Sequence, residues 1–387
     1  MAPIYILGTS GKIKNPDDIE ISKLLQIAGA NTGNLMFQYA VTRMIGNEKR
    51  FIGIDGMPYL DAGDCSDGAY LVFPAANHLR AGADWSGLCS FFENLKIPLV
   101  LIGLGAQADS SLNIEETARN LIQDSSCKRL IDVLKSKAAL ITVRGKFTAD
   151  LCEILDIPNV EILGCPSLML NPNANAGQQL AEKISHLETN QHVKMALTAA
   201  APFEIRGSHK NDLEKTLFRI IKNQNGLYVQ QSGGDSCIAI ADRRFGQLSV
   251  GGLKSIRDIL APDLSLDEFL DYHKDKGRVF TSAKQWIESL KPFDLCFGTR
   301  LHGNMAAIAG GTPGCVIHHD SRTEELAQEM QLPQIRAEEI SESESMATLL
   351  TKIQFDANAF DRSRTEKARK YKQLFDGLGI EPCLDHL

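Results

Sequence analysis

Phe293-Asp-Leu-Cys-Phe-Gly-Thr-Arg-Leu-His-Gly-Asn-Met-Ala-Ala-Ile-Ala-Gly-Gly-Thr-Pro313 is the stretch that decides the fold. A short, mostly apolar run from Phe293 to Phe297 ends in a glycine. Arg300 and His302 then stand two residues apart, and a small-residue helical pattern begins at once. The order reads as strand, tight turn and helix, with Cys315 to His318 as the next strand. Ligands of open α/β sheets bind beyond the carboxyl ends of strands, where helix amides favour anions. A guanidinium grips carboxylate or phosphate at any relevant pH, and an imidazole exchanges protons near neutrality. The pair points to chemistry on a phosphorylated or carboxylated small molecule.

The same alternation extends in both directions. Upstream, strands are expected at Pro3 to Gly8, Tyr70 to Pro74, Pro98 to Gly103, Leu140 to Val143 and Val160 to Leu163. Helices are expected at Asn31 to Ile45, Ile114 to Asp124, Cys127 to Lys137 and Gly145 to Leu155. The first of them opens on the capping turn Asn31-Thr-Gly-Asn34. A second series runs through strands His192 to Ala200, Leu227 to Gln231 and Arg278 to Phe280. Its helices are Asp212 to Lys222 and Ala283 to Leu290. Strands alternating with helices imply parallel, doubly wound sheets. The polar, turn-rich Asn171 to Gly177 is the expected linker.

The expected fold is therefore α/β, with two Rossmann-like parallel-sheet domains facing across a cleft. Residues 1–175 form the first and residues 176–350 the second. The long helix of Phe355 to Leu378, in residues 351–387, packs back on the first. Glycine-rich Ser232 to Leu264 reads as a loop with one short helix beside the cleft. Lys12 to Glu20 reads as a charged insertion.

At 387 residues the chain exceeds one ordinary core. A net charge of −7 excludes wholesale nucleic-acid binding, which needs a basic surface. The N-terminal apolar stretch lacks the basic flank and length of a signal peptide, and no run is long enough to span a membrane. Nine cysteines without paired spacing suggest neither a disulfide framework nor a zinc site. Reduced thiols in a cytoplasm are expected.

Around Arg300 and His302, Gly303 and Asn304 open the helix and are placed as substrate contacts. Arg144 ends a strand at the cleft edge; its alternative is a salt bridge to Asp150 or Glu153. Arg206 follows the second domain's first strand as a further anion ligand. Asn31, Gly33 and Asn34 offer turn amides or simply start a helix. Gln107, after Gly103-Leu-Gly-Ala, suits a sugar hydroxyl. His318 and His319 fall on opposite faces of a strand and so make a poor metal pair. His78, His186, His192, His209, His273 and His386 stand alone and receive no role.

With these residues in view, the chain resembles the polysaccharide pyruvyl transferase family. The resemblance rests on Gly298-Thr-Arg-Leu-His-Gly303, on Gly311-Thr-Pro313 and on His318-His-Asp-Ser-Arg322. Asn31-Thr-Gly-Asn34, Gly103-Leu-Gly-Ala-Gln107 and Thr142-Val-Arg-Gly-Lys-Phe-Thr148 add to it in the family's order. It implies a fold like that of GT-B glycosyltransferases. It also implies transfer of pyruvate from phosphoenolpyruvate to a sugar of an envelope or extracellular polysaccharide, as a cyclic ketal, with no metal or other cofactor. Arg300 and His302 would serve the phosphoenolpyruvate site, with His302 as acid or base. The partners expected are phosphoenolpyruvate and a glycan or lipid-linked oligosaccharide acceptor. A lipid-linked acceptor admits weak attachment to the inner membrane face, for which the sequence carries no anchor. Two competing readings share the scaffold. One is a glycosyltransferase using a nucleotide sugar, with Glu324 or Glu325 on the ribose; the other is a sugar- or anion-binding protein without turnover.

Overall fold

A computed structural model describes residues 2–53, 62–107, 113–187, 192–200, 209–385 and 387. The first sheet takes strands β1 (Ile4–Leu7), β2 (Lys49–Ile52), β3 (Tyr70–Pro74), β4 (Asn77–Leu79), β5 (Leu99–Ala106), β6 (Ala138–Val143) and β7 (Val160–Ile162). Its order is β2-β1-β3-β5-β6-β7, with β4 on the end of β5. The second takes β8 (Met195–Ala199), β9 (Leu227–Gln230), β10 (Gly277–Arg278), β11 (Leu295–Gly298), β12 (Gly314–His318) and β13 (Gln334–Arg336), in the order β10-β9-β8-β11-β12-β13. All pairings between these strands are parallel. Both sheets are doubly wound, as expected. Strand order reverses between β1 and β3 in the first and between β8 and β11 in the second. A crevice opens at such a reversal.

The central strands are largely apolar, as strands covered on both faces are; every residue of β1, β5, β8, β11 and β12 is buried. The lobes share apolar cores. Phe37 and Val72 of the first pack in one cluster with Leu301, Met305 and Val316 of the second. Ile13, Leu24 and Met36 pack with Ala196, Val229 and Trp286 in another. Helix Ala357–Gly377 adds Phe360, Tyr371 and Phe375 to the first of these clusters, and the Tyr371 hydroxyl lies 3.4 Å from Thr142 Oγ1 of β6.

One expectation is corrected here. Ser232 to Leu264 is not a loop with one helix but carries two, Gly234–Ala241 and Val250–Leu260. Its glycines obscured two apolar faces: Ile238 and Ile240 on one, and Leu253, Ile256 and Leu260 at helical spacing on the other. The Asn171 to Gly177 stretch, expected as the linker, is hydrogen-bonded in place. Asn171 is buried and donates from Nδ2 to the Ile308 carbonyl at 2.6 Å, while buried Arg364 donates to the carbonyls of Asn171 and Asn173 at 2.7 and 2.9 Å. A helix, Ala176–Leu187, already begins inside it. Lys12 to Glu20 holds a short 3-10 turn, Pro16–Asp18. It reaches the second lobe through Arg244, which donates to the carbonyls of Pro16 and Ile19.

Candidate functional site

The carboxyl ends of the strands determine what faces the cleft. At the end of β3 come Pro74 and then Ala76, beyond β5 Gln107, beyond β8 Ala200, beyond β9 Ser232, beyond β11 Arg300, and beyond β12 His319 and Asp320. All line one cleft of about 820 Å³ between the lobes. That volume falls in the range of small-molecule sites of roughly 300–1,000 Å³, and exceeds what one three-carbon acid fills.

Arg300 sits at the switch point of the second sheet and caps the Leu301–Ala309 helix, half-buried, with its side chain on the cleft. Its backbone is held from two sides: its carbonyl accepts from Thr198 Oγ1 at 3.1 Å and from Asn304 Nδ2 at 3.2 Å. Asn304 is fully buried and also donates to the Gly298 carbonyl at 3.0 Å, so it fixes the turn that aims Arg300. Gly303 is a matter of space. A Cβ there would stand 2.1 Å from Thr198 Cγ2, so only glycine lets this helix lie against β8.

His302 does not line the cleft. Only 7% of it is exposed; its ring packs 5.4 Å from that of Phe37, and its Nε2 lies 3.6 Å from Cys165 Sγ. Phe37 belongs to the cleft wall, so His302 lies one side chain behind it. Arg144 is likewise set back. It donates to the Gly103 carbonyl at 2.9 Å and the Ala75 carbonyl at 3.2 Å, and its guanidinium lies over the Phe37 ring. Asp150 pairs instead with Lys146. Arg144 therefore braces the ends of β3 and β5.

Asn31 and Asn34 do reach the cleft, while Gly33 lies behind them against Gln231. The Asn31 carboxamide oxygen accepts from Gly33 N–H at 2.8 Å and from Gln231 Nε2 at 3.0 Å, and Thr32 N–H donates to the Gln231 carbonyl. The turn thus ties the first lobe to the end of β9. Gln107 is exposed on the cleft. Arg206 lies outside the described residues.

The sequence reading missed the first lobe's wall of His78, Arg80 and Trp85. The His78 ring stands 4.9 Å from those of both Phe73 and Trp85, and Arg80 lies over the indole. His78 Nδ1 accepts from Ala76 N–H at 2.9 Å. Burial, then repulsion by Arg144 and Arg80, pushes its pKa down to about 4, so at neutrality it is an uncharged ring with its proton on Nε2. A dense polar and aromatic run, Asn77 to Trp85, was the available signal.

A second omission is Glu214, 2% exposed, which accepts from Thr299 Oγ1 at 2.5 Å. Burial raises its pKa, while hydrogen bonds from Thr299 and the Ala200 amide and the charge of Arg300 oppose the rise. It lay in view as an acid on the apolar stripe of Leu217, Phe218 and Ile221.

Fold and cleft define a two-lobed α/β protein with a carboxamide-rich site carrying Arg80 and Arg300 at the facing carboxyl edges of two doubly wound sheets, a GT-B-like arrangement. The model of the polysaccharide pyruvyl transferase family matches residues 31–321, and the chain belongs to that family. No curated protein matches the sequence. Among solved structures, Anabaena HepE in complex with UDP is similar at 9% identity over 98% of each chain, with a TM-score of 0.44. A UDP-glucose: anthocyanidin 3-O-glucosyltransferase in complex with UDP is similar at 10% identity over 96% of this chain and 94% of its own, with a TM-score of 0.39. Family membership rests on the first finding alone.

No three His, Cys, Asp or Glu side chains converge into a metal-binding group among the described residues. His318 is buried while His319 lines the cleft. Eight of the cysteines are buried and Cys383 is exposed. Among the described residues no helix is long and apolar enough to cross a membrane.

Proposed function

We propose that the protein transfers pyruvate from phosphoenolpyruvate to a sugar of an envelope or extracellular polysaccharide, or of its lipid-linked precursor, as a cyclic ketal. Family membership supports the transferase class. The observation that carries the donor is Arg300, a cation fixed at a sheet switch point on the wall of a cleft roomy enough for two substrates.

Phosphoenolpyruvate bears a phosphate and a carboxylate on one small frame, which suits a guanidinium fork. A proton added to its methylene carbon leaves an oxocarbenium-like centre at C2. One sugar hydroxyl attacks C2 and gives up its proton, the C2–O bond to phosphate breaks, and a second hydroxyl closes the ring with loss of its proton. His302 is the proton carrier nearest Arg300 in the chain, and for it to act the Phe37 ring must swing aside. Gln107, Asn31 and Asn34 present hydrogen-bonding groups to acceptor hydroxyls.

The nucleotide-sugar reading draws no support from its expected acids. Neither Glu324 nor Glu325 lines the cleft; the Glu325 carboxylate accepts from Phe147 N–H in the first lobe, and Glu324 accepts from Gln328. Incubation with isotope-labelled phosphoenolpyruvate and pooled glycan intermediates tests the proposal. Label should enter the glycan as an acid-labile ketal with equimolar phosphate release. Label transfer from a nucleotide sugar instead, or phosphate release without a labelled glycan, would refute it.

A further inference from the structure

The first lobe's side of the cleft carries a cation of its own. Arg80 follows β4 directly and lines the cleft, exposed, with its guanidinium carbon 5.4 Å from the centre of the Trp85 ring. A cation over an indole is attracted to the ring, which holds it in place. The segment around it is pinned as well. The Arg80 carbonyl accepts from Cys127 Sγ at 2.7 Å, Gly82 N–H donates to Asp124 Oδ2 at 2.8 Å, and Trp85 N–H donates to Ser126 Oγ at 2.6 Å. All three partners lie at the start of the Ser125–Lys137 helix. The acids beside this segment are already engaged: Asp124 also accepts from Cys127 N–H, and Asp84 accepts from Ser86 N–H. No carboxylate pairs with Arg80 among the described residues. Two hydrogen-bonding side chains flank it. Leu79 pairs in register with Ala106, so Arg80 and Gln107 leave β4 and β5 side by side, and Gln107 N–H donates to the Leu79 carbonyl at 3.0 Å. His78 Nδ1 is occupied by Ala76 N–H, which leaves its Nε2–H to donate elsewhere.

We propose that Arg80 anchors the acceptor, and that the acceptor sugar carries a negative charge of its own, a phosphate or a carboxylate. Arg80 grips that charge, while Gln107 and His78 meet hydroxyls of the same sugar. The cations of the two lobes then divide the cleft: Arg300 beyond β11 takes the donor and Arg80 beyond β4 the acceptor. The cleft of about 820 Å³ has room for both, where one three-carbon acid would leave much of it empty. A neutral acceptor laid on this wall would strip water from the guanidinium and give no counter-charge in return, which is a net cost. The role of acceptor rests on the preceding reading; the preference of the Arg80 wall for a charged sugar does not.

Calorimetric titration of the full chain measures that preference. The probes are glucose, galactose and mannose, each as the 1-phosphate, the uronic acid and the methyl glycoside. One charged form should bind about tenfold or more tightly than its matched methyl glycoside, the scale of a charge-assisted contact. Which form does so tells phosphate from carboxylate. Arg80→Gln should lose about tenfold for that probe, keep the weak affinity for the methyl glycoside, and bind phosphoenolpyruvate as wild type does. Equal binding of charged and neutral forms, or binding of none, would overturn the proposal. So would unchanged affinity in Arg80→Gln, or loss of phosphoenolpyruvate binding there, which would give Arg80 to the donor. A wild type that prefers charged sugars through Arg80 yet ignores phosphoenolpyruvate would sink the donor reading alone.

Discussion

Arg300 acts through shape as well as charge. A lysine would keep the charge but lose the planar fork that grips two oxygens together. Arg300→Lys should raise the KM for phosphoenolpyruvate about tenfold or more while the acceptor KM stays put; an unchanged donor KM would mean that the fork is not used. His302→Ala should lower turnover about 100-fold or more, the usual scale for losing a proton carrier. Near-normal turnover would reduce His302 to packing beneath Phe37. Histidines held as neutral rings make a separate prediction. Burial pushes the pKa values of His273 and His78 down to about 4, whereas the unfolded chain protonates them near 6.5. The unfolded state binds the extra protons, so stability is complete above that value and falls as pH drops towards 4. Denaturant titrations across this window should show the loss, and His273→Phe, in its aromatic cluster, should flatten it. An equally steep loss in that variant would contradict the assignment.

At the scale of elements, the Leu301–Ala309 helix is the one that small residues make possible. Gly303→Ala forces a methyl into Thr198 and should cost about 1–3 kcal/mol, read as a lowered melting temperature with the donor site misplaced; an unaltered melting temperature would show that β8 yields. Strands such as β5 and β11 were legible in the sequence because a strand buried on both faces reads as a continuous apolar run. The edge strands β2 and β13 were not. β2, Lys-Arg-Phe-Ile, is half-exposed and looks like loop, and β13 spans only Gln334–Arg336. The helix Ser86–Asn94 was missed because its apolar residues, Leu88, Cys89, Phe91 and Phe92, fill a single face within nine residues. Arg300 could be read because it follows a strand directly. His78 and Glu214 could not, because their meaning depends on what stands beside them: Trp85 and Ala76 for one, Thr299 and Arg300 for the other.

The whole molecule is two lobes on a shared foundation. Phe37, Leu301, Met305, Phe360, Tyr371 and Phe375 belong to one apolar cluster drawn from both halves of the chain. The lobes should therefore unfold together, and Phe375→Ala, which empties a fully buried position, should cost about 3–5 kcal/mol and shift one transition rather than split it. Two separated calorimetric peaks would show that the lobes are energetically independent. The account's central claim is that Arg300, held at the switch point of the second sheet, seats phosphoenolpyruvate in the cleft. Thermal melting of wild type and Arg300→Gln with rising phosphoenolpyruvate tests it most directly, since a ligand that binds only the folded state raises its midpoint. The account predicts a concentration-dependent rise in wild type that is abolished in the variant. An equal rise in both proteins, or none in wild type, would contradict it.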